Sequence, residues 1–512
     1  YDHGNIDADT GLPRNTVKVI TSKHSILTGE PLLNRDDKDI EIAYTYDALN
    51  RTTSETVSPN QPDYTASRFY EYYLVGSEGQ QASQTSTDVK GVSTTAWVDG
   101  LSRVVSELRH DADAGDSGNR RSLRLRYEAS YDELGQLLEQ TDYDWLADQQ
   151  MPLKTRYRYD NWGQRCCEIG PDGVRHYEQT DPIGTSESGN LPIQTSWSAS
   201  ANGKLTQGKT VTYLNLFEQP DVVQRFDRTD KVLSKHQYFY DGLGRTVREV
   251  DARNAETKNV YDVFDRLVDQ TLADRKSVVH RDYAPHSSVD LPVKIAVNGA
   301  VLGEQTFDGL DRMTASITGG RKRVMFYEAG QTKPWKVRTP ANREIEYDYT
   351  LQLTDQPEVR RVLPAPGQTQ KAAVEEYKYD RKNARLTYCG EPGQEVARDY
   401  FSTGELKLET RTVGSESWSM TYGASLQGRA LTYEDVLGQT QHYKYDKAGR
   451  LEKTWLGGLR TTFDYDDLGN LKSYKTCDGI EGEDEDEAAC ERWLLTELEY
   501  DDLGREELRR FT

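Results

Sequence analysis

Sulfur is scarce in this chain. Five cysteines among 512 residues are too few and too unevenly placed for a disulfide framework to hold the fold. Cys166 and Cys167 are adjacent and Cys389 stands alone, while Cys477 and Cys490 flank an insert, Asp478 to Ala489, that they could close as a loop or border as two free thiols. Long apolar runs are missing too. No stretch has the length a membrane span requires, and no hydrophobic segment at the amino terminus reads as a signal peptide. Hydrophobic residues make up 35% of the chain and mean hydropathy is −0.83, which excludes a large, thick, conventional core. No strongly basic stripe is present and the net charge is −21, so phosphate neutralisation is disfavoured and no nucleic-acid partner is expected.

The signatures of common catalytic sites are absent as well. There is no Gly-x-Ser-x-Gly elbow, no phosphate-cradling loop ending in Gly-Lys-Ser/Thr, no His-Glu-x-x-His and no Cys-x-x-Cys. The eight histidines are scattered, and the closest pair, His280 and His286, falls on an expected strand and the turn after it without a partnering acidic motif. The acidic run Glu483 to Glu487 lacks the alternating ligands and central Gly of a calcium loop. Asp111 to Asn119 has its Gly where a ligand should stand and no closing Glu. The expectation is a protein without enzymatic activity, metal or cofactor.

What the chain does have is a short repeat. Its clear copies begin at Tyr46-Asp47, Tyr131-Asp132, Tyr159-Asp160, Tyr240-Asp241, Tyr261-Asp262, Phe307-Asp308, Tyr445-Asp446, Tyr465-Asp466 and Tyr500-Asp501. The fullest form is Tyr-Asp-x-x-Gly-Arg, as in Tyr240-Asp241-Gly242-Leu243-Gly244-Arg245, with Gly449 and Arg450, and Gly504 and Arg505, completing two others. Gly135 and Gly469 keep the Gly but are followed by Gln136 and Asn470. Weaker echoes stand at Val98-Asp99, Tyr213, Tyr283, Tyr349, Tyr379-Asp380, Tyr400 and Tyr422. From Tyr213 onward the anchors mostly recur every 20 to 30 residues, which suits one two-stranded unit and is too short for strand-helix-strand.

The motif reads as turn chemistry. Its flanks are rich in aromatic and β-branched residues with partial alternation, the pattern of strands. Asp favours the first position of a type I turn because its carboxylate accepts backbone N–H groups two residues on. Gly three residues later supplies the left-handed conformation that closes a hairpin through a bulge. Asn50, Asp265 and Asp311 replace that Gly with the other residues that tolerate positive φ. An apolar residue before it, as in Leu49, Leu134, Leu243, Phe264, Leu310, Leu468 and Leu503, implies a covered turn. A second turn signal lies between motifs, for example Asp88-Val89-Lys90-Gly91 and Asp435-Val436-Leu437-Gly438. Each repeat therefore adds two antiparallel strands, its Tyr and apolar residue packing and its Arg supporting a neighbouring repeat.

With 32 Tyr, 8 Trp and 10 Phe, the composition fits a sheet faced by amphipathic aromatics on one side and solvated charges on the other. The expected organisation is an amino-terminal block of repeats over residues 1–183, a polar insertion over 184–208 and a carboxy-terminal block over 209–512. Both ends read as cuts within a longer protein.

These copies, at hairpin spacing over nearly all of the chain, resemble the RHS/YD-repeat family. The resemblance implies an all-β fold, a continuous antiparallel sheet of tandem hairpins that spirals into a hollow shell. In bacterial members, including the B and C components of insecticidal toxin complexes and RHS polymorphic toxins, the shell encloses a carboxy-terminal toxin; teneurins use a similar barrel in adhesion. The family's self-cleaving core region ends in Asp-Pro-x-Gly signatures. Here Asp181-Pro182-Ile183-Gly184 is mid-chain and lacks Tyr/Asn-rich surroundings, so no protease residues are carried over. The function expected is a shell segment of a secreted or cell-surface bacterial toxin, with a toxin or cargo domain of the same or a partner chain, and other toxin-complex subunits, as partners. The alternatives are an adhesion module that binds glycans or a partner protein through Tyr- and Trp-rich surfaces, and a cryptic hydrolase, for which no carboxylate pair stands out.

Overall fold

The computed structural model describes residues 2–6, 13–15, 19–74, 81–113, 123–186, 189, 191–328, 331–365, 367–479, 490 and 492–512. The described residues contain no α-helix. A small hairpin pairs Asp2–Ile6 with Pro13–Asn15. Everything else is one sheet of 40 strands, from Thr21–His24 to Glu506–Phe511. Each strand pairs antiparallel with its sequence neighbours, and the first and last strands do not pair with each other. The strip is open, with motif turns along one edge and the intervening turns along the other.

The strip coils back on itself. Lys90 meets Asp380 at 2.7 Å, Asp113 accepts from the Ser402 backbone, Asn470 donates to Gln207 and Arg228 meets Asp502. The partners in these four contacts are separated by 263 to 290 residues, so one winding takes roughly that length of chain. In every case an intervening turn, or a strand end beside one, in the first winding meets a motif-edge turn of the second. That length carries roughly 23 strands, more than the 16 to 18 or so that already leave an open channel in other barrels, so side chains cannot fill the interior. Surface area says the same. The accessible surface is 31087 Å², against about 19,000 Å² for a compact monomer of 58.3 kDa. The chain is a wall one sheet thick.

Two expectations are corrected. The stretch 184–208 is not an insertion between blocks: Ile193–Ala199 pairs with Arg175–Asp181 on one side and Thr206–Leu214 on the other, so the sheet crosses it unbroken. The motif turns are not uniformly covered either. Leu468 is buried, whereas Leu49, Leu134, Leu243 and Phe264 are exposed, because a cover exists only where a turn lies on the seam. The insert after Asp478 falls mostly outside the described residues, but Cys477 and Cys490 form a disulfide, with Cα atoms 5.6 Å apart. Of the loop beginning at Asp111, residues 114–119 lie outside them as well.

The most buried charge sits on the seam. Asp144, with no exposed surface, lies near the end of the strand Leu137–Leu146 in the first winding. Its carboxylate accepts from Ser425 Oγ at 2.8 Å and the Gln427 N–H at 3.1 Å, and lies 3.0 Å from Arg429 Nε, all in the second winding. A buried carboxylate survives only when paired and hydrogen-bonded. Replacing Asp144 with Ala strands Arg429 and Ser425, so we expect a loss of about 3–5 kcal/mol. Denaturant unfolding measures it, and amide exchange should rise first around 425–429.

Candidate functional site

The repeating site is the motif turn, and its geometry is uniform. In the copy at Tyr240 the Asp241 N–H donates to the Arg245 carbonyl at 3.0 Å and the Gly244 N–H to the Asp241 carbonyl at 3.0 Å. Gly244 has φ of 79°, and Asn50, Asp265 and Asp311 stand at 61°, 65° and 63° in the same place. Asp241 Oδ1 accepts the N–H groups of Leu243 and Arg245, at 2.9 and 3.0 Å. Its other oxygen takes Arg245 Nε at 2.7 Å. The same arrangement recurs at Asp47, Asp262, Asp308, Asp446 and Asp501. It also recurs at the weak echo Asp99, where Ser102 takes the positive-φ position. The Arg245 guanidinium, then burial and the turn N–H groups acting against each other, leave the Asp241 carboxyl below its ordinary value.

Each turn shifts the strand register at its Tyr, as at Phe239/Tyr240, and so disturbs the ladder beside the residue that follows the Arg. The next repeat's Tyr hydroxyl donates to that residue's carbonyl. Tyr261 reaches Thr246, Tyr283 reaches Leu267, Tyr465 reaches Leu451 and Tyr500 reaches Leu471, at 3.0, 2.6, 2.9 and 2.8 Å. Tyr46, Tyr131, Tyr240 and Tyr445 bond Pro31, Val104, Pro220 and Ala430 in the same way. Each Arg lies over the following Tyr ring: Arg51 over Tyr72, Arg103 over Tyr131, Arg266 over Tyr283 and Arg450 over Tyr465, 4.2 to 4.7 Å from the ring centre. Arg245 also reaches the next turn, at the Asp262 carbonyl and Asp265. Where Arg is replaced, the reach survives in Gln136, whose amide donates to the Gly163 carbonyl after the Asp132 turn. Asn470 keeps its bond to Asp466 and adds one across the seam to Gln207.

The geometry at His280 was not visible in the linear sequence. Nδ1 lies 2.7 Å from Asp269 and Nε2 lies 3.1 Å from Asp282. Asp269 stands directly opposite His280 on the paired strand and Asp282 two residues along the same face, so only the register brings them together. His286 meets Asp311 instead, at 3.3 Å. Hydrogen bonds to Asp269, then Asp282, raise the His280 pKa above 6.5. No group of three or more His, Cys, Asp or Glu that could hold a metal ion occurs among the described residues. A cleft of about 410 Å³ lies where the windings meet, lined by Trp197, Phe226, Lys209, Asp230 and Asp502.

The single-layer wall, its turn circuit and its seam define an all-β fold of tandem hairpins that spirals into a shell. Among solved structures the chain is similar to the TcdB2-TccC3 complex without its hypervariable C-terminal region, with TM-score 0.58 and 12% identity. That match covers 97% of this chain and 31% of that one. It is similar also to the Photorhabdus luminescens Tc holotoxin pore, with TM-score 0.59 and 10% identity over 96% of this chain and 31% of that one. The chain thus spans about a third of the length of these structures' chains. No family model matches it, and no curated protein matches it by sequence.

Two outcomes test the site. Tyr283→Phe leaves the Leu267 carbonyl without its hydroxyl donor, an expected loss of about 1 kcal/mol. Amide exchange should quicken in Leu267–Thr271 and Val278–Tyr283 and stay unchanged several repeats away. His280 should titrate above 6.5 by NMR, and Asp269→Asn should bring it down. Because the folded value is the raised one, the His280 contribution to stability is complete below pH 6.5 and fades as pH rises through the folded value.

Proposed function

We propose that this chain is a wall segment of a secreted bacterial toxin shell, which keeps a toxic polypeptide enclosed until delivery, and that it has no catalytic activity of its own. The observation that carries the reading is the one-layer wall: its accessible surface far exceeds that of a compact protein, and its winding is too wide for its own side chains to fill. A globular enzyme or a compact adhesion domain has no use for such an interior. Containment needs it. The fold shared with the TcdB2-TccC3 and Tc holotoxin structures supports the toxin class.

A wall of this kind suits a non-native guest. At 35% hydrophobic content, with apolar side chains spread through a solvated sheet, it gives an unfolded cargo little continuous apolar surface to adhere to. Within the sheet only the first and last strands, Thr21–His24 and Glu506–Phe511, lack a partner on one side, so few strand edges are free to recruit the guest by pairing.

The test is protease protection in the parent protein that contains this chain, with the toxic polypeptide co-produced. The cargo should resist digestion while the wall is intact and become digestible when Asp144→Ala loosens the seam. Equal digestion of the cargo in both proteins overturns containment, as does a parent whose remaining sequence consists of a membrane anchor and adhesion domains.

A further inference from the structure

One face of the first winding carries a basic cavity that neither the turn circuit nor the seam uses. It lies over the strands Gln149–Tyr159, Arg165–Ile169 and Arg175–Asp181, has a volume of about 590 Å³, and is lined by Glu139, Arg156, Arg158, Ile169 and Arg175. Register puts these side chains on the same face. Ile169 stands directly opposite both Arg156 and Arg175, and Cys167 directly opposite Arg158, so three arginines surround Ile169 and the buried Cys167.

The three guanidiniums differ in their partners. Arg156 is held by Glu139, with Nε 2.9 Å from the carboxylate. Arg158 is exposed and Arg175 half-buried, and among the described residues neither meets a carboxylate. Nε of Arg175 is buried without a hydrogen-bond partner, and a buried charged donor calls for an acceptor. Both charges reach the same sulfur: burial raises the Cys167 thiol above its ordinary value, while Arg158 and, more weakly, Arg175 pull against it. A further winding alongside would not reach Arg158. Seam contacts are made by turn residues, and Lys378, Asp399, Asp464 and Glu499, which hold the place of Arg158 before the motif Tyr, engage residues of their own winding. Arg175 lies behind the turn from Gly170 to Gly173, where the second winding is already seated at Gly469.

We propose that this cavity is a binding site for a small organic anion carrying two or more carboxylate or phosphate groups, held by Arg158 and Arg175 with Ile169 packed beneath it. Two positive groups at separate points of one cavity select a ligand whose anionic groups match them, and a cavity of this size suits a molecule larger than a lone phosphate. The chain's net charge of −21 repels anions from the surface at large, so binding here depends on this local pair.

The test is isothermal titration calorimetry of the whole chain with citrate and with pyrophosphate at one fixed ionic strength. It is repeated with Arg158→Gln, Arg175→Gln and a control, Arg343→Gln, which removes an exposed arginine many strands further along the sheet. The wild-type chain should bind at least one of the two probes in a single saturable phase, and the tighter probe identifies the anionic group. Each cavity variant should weaken that binding by about tenfold or more, and the control should leave it unchanged. Thermal unfolding checks the fold, and where Arg175→Gln disturbs it, the exposed substitution Arg158→Gln decides alone. Failure of both probes to bind, binding that survives the loss of Arg158, or an equal loss in the control overturns the proposal.

Discussion

The structure depends on how a hairpin turn that breaks the strand ladder is repaired by the following repeat. A bulged turn disturbs the register and leaves a carbonyl without its full ladder partner, and such a group must find another donor. Here the donor is the Tyr hydroxyl of the next repeat, held under an Arg that the turn's own Asp has already oriented. Asp fixes Arg, Arg covers the next Tyr, and that Tyr caps the turn behind it. The motif's residues thus work across two repeats at a time, which is why copies are useful only in series. It also explains the 32 tyrosines in a chain with only 10 phenylalanines: the ring packs and the hydroxyl completes the ladder.

Lateral support of this kind builds a ribbon and leaves its edges open. The seam closes one pair of edges with a different chemistry, turn against turn, in which side chains replace strand pairing. Asp144 shows how far that substitution goes. A single carboxylate gathers a hydroxyl, a backbone N–H and a guanidinium from a turn 281 to 285 residues away in sequence. The turn it receives begins with Ser425 where other copies have Asp, and Arg429, freed from a partner in its own turn, reaches across the seam instead. The departure from the motif is the docking site.

The hairpin period, the turn chemistry and the antiparallel strip were legible in the sequence because each is local: Asp at the turn start and a positive-φ residue three positions on are enough. The weak echo at Asp99 adopts the same turn because Ser102 can replace Gly in it, whereas the echo at Asp380 makes a turn one residue longer. The tyrosine bond to the preceding repeat was not legible, since it depends on where the bulge displaces a carbonyl. Nor was the seam, whose partners stand 263 residues apart or more. Leu468 is covered and Leu134 exposed although both stand in Tyr-Asp-acid-Leu-Gly turns; the winding distinguishes the two. The Ser- and Gly-rich composition of 184–208 resembled a linker because Ile193–Ala199 alternates few apolar residues with Gln, Thr and Ser, and its packing, Trp197 stacked on Tyr177 across the strand pair, is set by register. His280 looked unpartnered for a similar reason, its carboxylates being set by register.

Loop closure explains why the strip needs a strong point on its seam. For a flexible chain, joining residues some 280 apart costs about 5 kcal/mol in entropy, more than a surface ion pair such as Lys90 with Asp380 returns. Once one contact holds, the next lies only a repeat or two farther on, and a ribbon already bonded laterally loses little more freedom in closing it. The first contact must therefore be exceptional, and the rest can be weak. The Asp144 cluster, fully buried and drawing on three partners, has that character, while the pairs at Lys90 and Arg228 are half-exposed. A wall organised this way winds from its strongest seam contact outward, and the interior it encloses is defined by that contact and the ribbon's curvature, with no core to fill it.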